Sequence, residues 1–180
     1  MKYRLSIFFF LLNLGLICPA VSETVPENVL KSVMIERISR FVEWPQLHNN
    51  PNDNAPFIIG LVGKVDFAQT LSMLYNERLI KNKNVKIVEL QTNEDFDQCH
   101  IVIIGKMNRD QVNILNLKLQ NKPILIISDV YSISDADIMI QFYESRNRLR
   151  FNIDAEGIKK AGLNIDFRLL QYAKDIQIME

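Results

Sequence analysis

Three short runs with almost no polar residue constrain this chain most. They are FIIGLVG (Phe57–Gly63), CHIVIIG (Cys99–Gly105) and PILIISD (Pro123–Asp129). Each is too short for a buried helix and is bounded by Gly, Pro or Asp. Each therefore reads as a strand buried on both faces. Such strands need cover above and below, and the segments between them supply it. NVLKSVMIERISRFVEW places Val29, Leu30, Val33, Met34, Ile38, Phe41 and Val42 on one face at helical spacing. DFAQTLSMLYNERL repeats that spacing, with Asp66 in an N-cap position, and NRDQVNILNLKLQN is a further helix. VKIVEL (Val85–Leu90) alternates and is β-branched, which suits a strand with one wetter face. HNNPNDNAP between the first helix and the first strand is an exposed loop. Strands alternating with helices imply an α/β fold: a single layered domain with a mostly parallel central sheet flanked by helices.

The rhythm changes near the end. IMIQFYES and RLRFNID are two strand-like segments separated by a short turn, which predicts a C-terminal antiparallel hairpin. In the second segment Leu149, Phe151 and Ile153 alternate with Arg148, Arg150 and Asn152, giving one polar face. Asp154 is placed to cap AEGIKKAG. NIDFRLLQYAKDI then gives a last helix with Phe167, Leu170 and Ala173 inward.

The first residues combine Lys2 and Arg4, an apolar stretch from Leu5 to Ile17, and the small residues Ala20-Val21-Ser22. This is the pattern of a secretory signal peptide (1–22) cleaved after Ser22, leaving a domain over 23–180. Ile17 is too bulky for a lipoprotein reading of Cys18. No later run is long and apolar enough to cross a bilayer, which needs about 20 residues, so the exported chain is expected to be soluble in the periplasm. Loss of Lys2 and Arg4 turns a balance of 21 basic against 21 acidic residues slightly acidic. With no basic excess, nucleic acid is not an expected partner. Only Cys99 remains of the two cysteines. It forms no internal disulfide and reads either as a buried small side chain opening a strand or as an intermolecular bridge or reactive thiol.

Catalytic and cofactor signals are sparse. Gly60, Gly63 and Lys64 match neither the dinucleotide fingerprint nor the Walker spacing; a Gly that lets the chain turn is the ordinary account. His48 and His100 lie in no metal-binding pattern. Cys99 and His100 are adjacent, so in a strand they point to opposite faces, which opposes a nucleophile–base pair. No G-x-S-x-G elbow is present. The sequence thus points to no enzyme, no cofactor and no metal. Asp129, ending a buried strand, is the best-placed single carboxylate for a small-molecule site at the sheet's carboxyl edge. Arg148 and Arg150 share a strand face and, with Arg146 and Arg168, could bind an anion or an acidic partner; a solvated face is the alternative.

RFVEWP (Arg40–Pro45) holds the only Trp. One reading packs Phe41 and Trp44 inward, with Pro45 stopping the helix. The other leaves Trp44 at a rim, anchoring a dimer or partner, with Phe41 inward.

The order of these features resembles the YfiR-like periplasmic proteins. The resemblance spans essentially the whole exported chain. It rests on Phe41-Val42-Glu43-Trp44-Pro45, Cys99-His100-Ile101, Arg150-Phe151-Asn152-Ile153 and Arg168-Leu169-Leu170. It implies a homodimeric regulatory protein, not an enzyme, that binds the periplasmic sensor region of an inner-membrane diguanylate cyclase and holds it off. It also implies sequestration by an outer-membrane lipoprotein, and a role in cyclic-di-GMP signalling and biofilm growth. Trp44, Arg148, Arg150 and Arg168 are the candidate interface residues. Where the family usually carries a Gly-Gly pair, this chain has Ala136-Asp137, and the paired cysteines of some members are missing. A periplasmic small-molecule sensor or carrier is the alternative function.

Overall fold

The computed structural model describes residues 25–48, 54–130, 137–146 and 148–173. The segment read as a signal peptide (1–22), most of the Asn-rich loop and Ala136 lie outside them. Helix α1 (Glu27–Phe41) leads into the two-residue strand β1 (Val42–Glu43) and the single turn α2 (Pro45–His48). Then follow β2 (Phe57–Val62), α3 (Ala68–Tyr75), β3 (Leu79–Ile80), β4 (Lys83–Leu90), β5 (Ile101–Ile104), α4 (Arg109–Leu119) and β6 (Leu125–Ser128). The chain continues through β7 (Ile140–Ser145), β8 (Arg148–Ile153), α5 (Ala155–Lys160), β9 (Asn164–Ile165) and α6 (Phe167–Tyr172).

Seven strands form one sheet in the order β3-β4-β2-β5-β6-β7-β8. The pairs from β4 through β7 are parallel; β3 and β8 are added antiparallel at the two ends. The three apolar runs of the sequence form the adjacent central strands β2, β5 and β6, whose residues are almost all buried. The mostly parallel α/β sheet and the C-terminal hairpin both match the reading of the sequence. Right-handed crossovers run in opposite directions from β2 and from β5, so α3 and α4 cover opposite faces. Helix α1 lies on the α3 face and reaches α6 and β8. A separate two-stranded sheet pairs β1 with β9.

Local signals explain most boundaries. Asn108 and Gln111 form a reciprocal capping box at the start of α4, and the Asp154 carboxylate accepts from Gly157 N to start α5. Asp66 does not cap α3. Phe67 holds that position without a side-chain bond, while Asp66 is drawn 2.6 Å from Lys106 Nζ.

Two apolar faces differ from the sequence reading. The stripe of α1 facing the sheet is Lys31, Ser32, Ile35, Ile38 and Ser39. Val29, Val33, Met34 and Phe41 are half-buried, and Leu30 is exposed. Polar residues are tolerated in the stripe because each is satisfied. Ser32 and Ser39 donate to Asn28 O and Ile35 O one turn back, and Lys31 Nζ donates to Asp129 at 2.9 Å. In α6 the inward residue is Leu169, while Phe167 at the first turn is 67 % exposed. The β1–β9 pairing fixes the angle at which α6 starts and leaves Phe167 outside. Leu170 is half-buried and Ala173 buried, as the spacing implied.

Candidate functional site

In open α/β sheets, ligands usually enter at the carboxyl edge where the strand order reverses, here between β2 and β5. There the loops are tied together, and a concavity of about 340 Å³ lies beside the tie, lined by Gly63, Lys64, Leu90, Met107 and Gln111 among others. Lys64 N donates to Lys106 O at 3.1 Å and Lys106 N to Lys64 O at 2.9 Å, so the two loops leaving the strands are bridged to each other. Gly63 turns with φ of 74°. A Cβ on Gly105 would sit 2.2 Å from Lys64 O, so only glycine allows this approach. Asp129 at the end of β6 is engaged as well: its carboxylate receives Lys31 Nζ, which also meets Glu27 at 2.7 Å. Burial pulls the Lys31 amine down, but hydrogen bonds to both carboxylates outweigh it and hold the pKa above its ordinary value.

A further concavity lies along β8, the last strand of the sheet. A groove of about 630 Å³ runs between α1, β8 and α6. Met34 and Phe41 form its α1 wall, Leu149 and Phe151 its floor on β8, and Leu169 and Tyr172 its α6 wall. Phe41 and Tyr172 meet with ring centroids 5.8 Å apart. Four arginines surround this apolar lining: Arg37, Arg40, Arg148 and Arg150. Arg40 is tied to Glu36 one turn back. For Arg37, Arg148 and Arg150 there is no carboxylate within salt-bridge distance among the described residues.

The structure brings together two of the four residues expected at the site and separates the others. Arg148 and Arg150 line the groove on β8, standing opposite Ser145 and Tyr143 of β7. Arg168 sits at the rim: its guanidinium lies 5.6 Å from the centre of the Phe41 ring and is held by Asp166 through three contacts. Trp44 is not at a rim. It is 1 % exposed, donates from Nε1 to His100 O at 2.8 Å, and meets Phe57 edge-on at 5.2 Å. The arrangement with Phe41 inward and Trp44 outside is therefore reversed. The cause is β1, whose pairing with β9 ends the helix at Phe41 and turns the next residues across the sheet edge. Pro45 opens the turn α2, where its missing N–H costs nothing.

His100 is a structural link. Its Nδ1 accepts from Ile58 N at 3.0 Å, and its ring stacks on Phe57 at 4.5 Å. Cys99, 3 % exposed, packs beside Gly60, and burial pushes its thiol up to about 11. These environments suit core packing rather than nucleophilic chemistry. Among the described residues no group of three or more His, Cys, Asp or Glu could hold a metal ion. No helix among them is long and apolar enough to cross a membrane.

Arg37 and Arg40 escaped the sequence reading. Their signal was present: they follow Met34 at successive helical turns and flank Phe41, on the face assigned to the core. A family model described as YfiR/HmsC-like matches residues 28–174 of the chain. No curated protein matches it.

Proposed function

We propose, because the chain belongs to the YfiR/HmsC-like family, that it is a periplasmic regulatory protein that inhibits an inner-membrane diguanylate cyclase. It would do so by binding the cyclase's periplasmic sensor region in the inactive arrangement more tightly than in the active one. The family is a regulatory, non-catalytic and periplasmic one. The observation that carries the reading is the extent of the family match, which spans α1 through α6 and so includes all three walls of the groove.

The groove is the surface assigned to the partner in this reading. Its apolar lining offers contact area, and its arginines are side chains enriched at binding hot spots. A second copy of the chain and an outer-membrane lipoprotein are the further partners of the same reading. A small-molecule site at Asp129 has less support, since the ion pair with Lys31 occupies that carboxylate.

The test is cellular cyclic-di-GMP in a strain lacking the chain. Deletion is expected to raise it. Expression of the exported chain is expected to lower it again, and a version without the first 22 residues, which stays in the cytoplasm, is not. An unchanged level on deletion would sink the proposal.

A further inference from the structure

Strand β4 has an edge that its neighbour covers only in part. Strand β3 pairs with it at Lys83 and Asn84 alone, so Val85–Leu90 have a strand on the β2 side only. The hairpin fixes where each backbone group points. Lys81 and Asn82 both have positive φ, 51° and 61°, which closes a two-residue turn on the hydrogen-bonded pair Ile80 and Lys83. Lys83 therefore turns its N–H and C=O toward β3. Val85, Ile87 and Glu89 follow it in phase, while Asn84, Lys86, Val88 and Leu90 turn toward β2. Among the described residues no backbone group pairs with Val85, Ile87 or Glu89 on the outer side. The edge is also accessible: Val85, Ile87, Val88 and Leu90 are half-buried, and Lys86 and Glu89 are exposed. At the other end of the sheet β8 offers no such edge, since Phe151 and Ile153 are 5 % and 2 % exposed. An accessible unpaired edge is a template for another strand.

Register decides what fits. A second copy related by a two-fold axis lies antiparallel, and the axis must pass through a residue position. Between residues, it would set outward-pointing groups against inward-pointing ones. Centred on Val85, Lys86 or Ile87, the pairing needs Asn84, which β3 already holds through Leu79. The Lys86 centre also opposes two lysines, and a Glu89 centre opposes two carboxylates. Centred on Leu90, its hydrogen bonds need Gln91, whose carbonyl already accepts from Glu94 N at 3.1 Å. Centred on Val88, none of these conflicts arises. Val88 meets its own copy, Ile87 stands opposite Glu89, and Lys86 lays its stem against Leu90. The turn at Gln91 takes each chain off the sheet before it reaches the other copy's β3. We infer that the outer edge of β4 is a self-association surface. Two copies join antiparallel about Val88, each Ile87–Glu89 pair exchanging both of its backbone hydrogen bonds, so that two sheets become one. The matched stretch, Lys86–Leu90 on each side, is short, which places the pair among reversible interfaces of less than about 1,200 Å². Strand β8 lies at the other end of the strand order, so the joined pair keeps both grooves free. The inference goes beyond the regulatory reading and does not depend on it.

A disulfide scan of the exported chain reads the register directly. The single variants Lys86→Cys, Ile87→Cys, Val88→Cys and Glu89→Cys are oxidised with air oxygen, and covalent dimer is followed on non-reducing gels. Leu117→Cys, at an exposed position of α4, gives the rate of random collision. Cys99 is buried and stays out of the reaction. Val88→Cys is expected to cross-link at least roughly tenfold faster than every other variant, because only there do the two Cα atoms come about 4.5 Å apart, within disulfide reach. A maximum at another edge position overturns this register, and rates no higher than that of Leu117→Cys overturn self-association at β4. The native chain gives a second reading that needs no substitution. Amide exchange of Ile87 and Glu89 is expected to slow as concentration rises, while Lys86 and Val88, already bonded to β2, keep their rates. Fast exchange of Ile87 and Glu89 at every concentration overturns the pairing. Both measurements run without the cyclase, so their failure leaves the regulatory reading standing. A cyclic-di-GMP level indifferent to deletion removes that reading, while the scan still decides the edge.

Discussion

Trp44 and Cys99 lie under the same strand entrance, and their surroundings decide what each can do. The indole is enclosed, its N–H is satisfied by His100 O, and that carbonyl also accepts from Leu125 N at 2.9 Å. Trp44→Phe removes one hydrogen bond but leaves the acceptor a partner. It is expected to cost about 1–2 kcal/mol, mostly the bond and a small void. Trp44→Ala is expected to cost about 3–5 kcal/mol. Urea unfolding of both variants checks this, and a cost near zero for Trp44→Ala would mean the side chain is not in the core. Cys99 gives a prediction about pH. Burial, and next the Asp95 carboxylate, raise the thiol from 9.0 to about 11, so the unfolded chain ionises first. Its contribution to stability is therefore constant below pH 9 and falls as pH rises toward 11. At neutral pH, iodoacetamide is expected to label Cys99 only as fast as the protein opens. Rapid labelling of the native state would contradict the burial. The Cys99 packing could be anticipated from its place before an apolar run. The Trp44 packing was one of the two readings open in the sequence; the two residues of strand that intervene after Phe41 left no sign there.

At the scale of elements, α1 shows where a pattern misleads. The central strands were legible because residues buried on both faces leave an unbroken apolar run that no other element of that length produces. The hairpin was legible from the strict alternation in β8. Helix α1 carries more apolar residues than one buried stripe needs. The surplus, Met34 and Phe41, walls the groove, while Lys31, Ser32 and Ser39 take buried positions. An apolar count ranks Lys31 last for the core, yet Glu27 and Asp129 converge on it from its own helix and from the end of β6. That contact ties α1 to the sheet edge, and its partners are unequal. Lys31 has two carboxylates, and Asp129 relies on the lysine. Lys31→Met is expected to cost about 3 kcal/mol, since it strips a buried carboxylate of its cation. Asp129→Asn, which leaves Glu27 on the lysine, is expected to cost about 1 kcal/mol. The double variant is expected to cost less than the sum, and equal single costs would show that Glu27 shares nothing. The raised pKa of Lys31 makes its share of stability complete below pH 10.5 and lost only as pH rises above that, so a change at neutral pH has another origin.

On the scale of the whole molecule, the carboxyl edge and the β8 groove differ in how their charges are engaged. At the carboxyl edge, a backbone bridge joins the loops after β2 and β5, and the Lys31–Asp129 ion pair occupies the end of β6. At β8, three arginines with no salt-bridge partner among the described residues surround an apolar groove. The outcome can be stated for both stability and signalling. Arg148 is exposed and Arg150 half-buried, and neither makes an ion pair among the described residues, so Arg148→Glu with Arg150→Glu is expected to shift stability by about 1 kcal/mol at most. The same double change reverses the field that the proposed partner would meet. Complementary charge acts mainly on association, so binding to the cyclase's periplasmic region should slow, and its dependence on salt should shrink or invert. In the cell, the exported double variant is expected to accumulate like the native chain and fail to lower cyclic-di-GMP. Lys159→Glu with Lys160→Glu, on α5 outside the groove, is expected to lower it normally. If the arginine variant restores a low level as fully as the native chain, the groove is not the surface through which this protein acts.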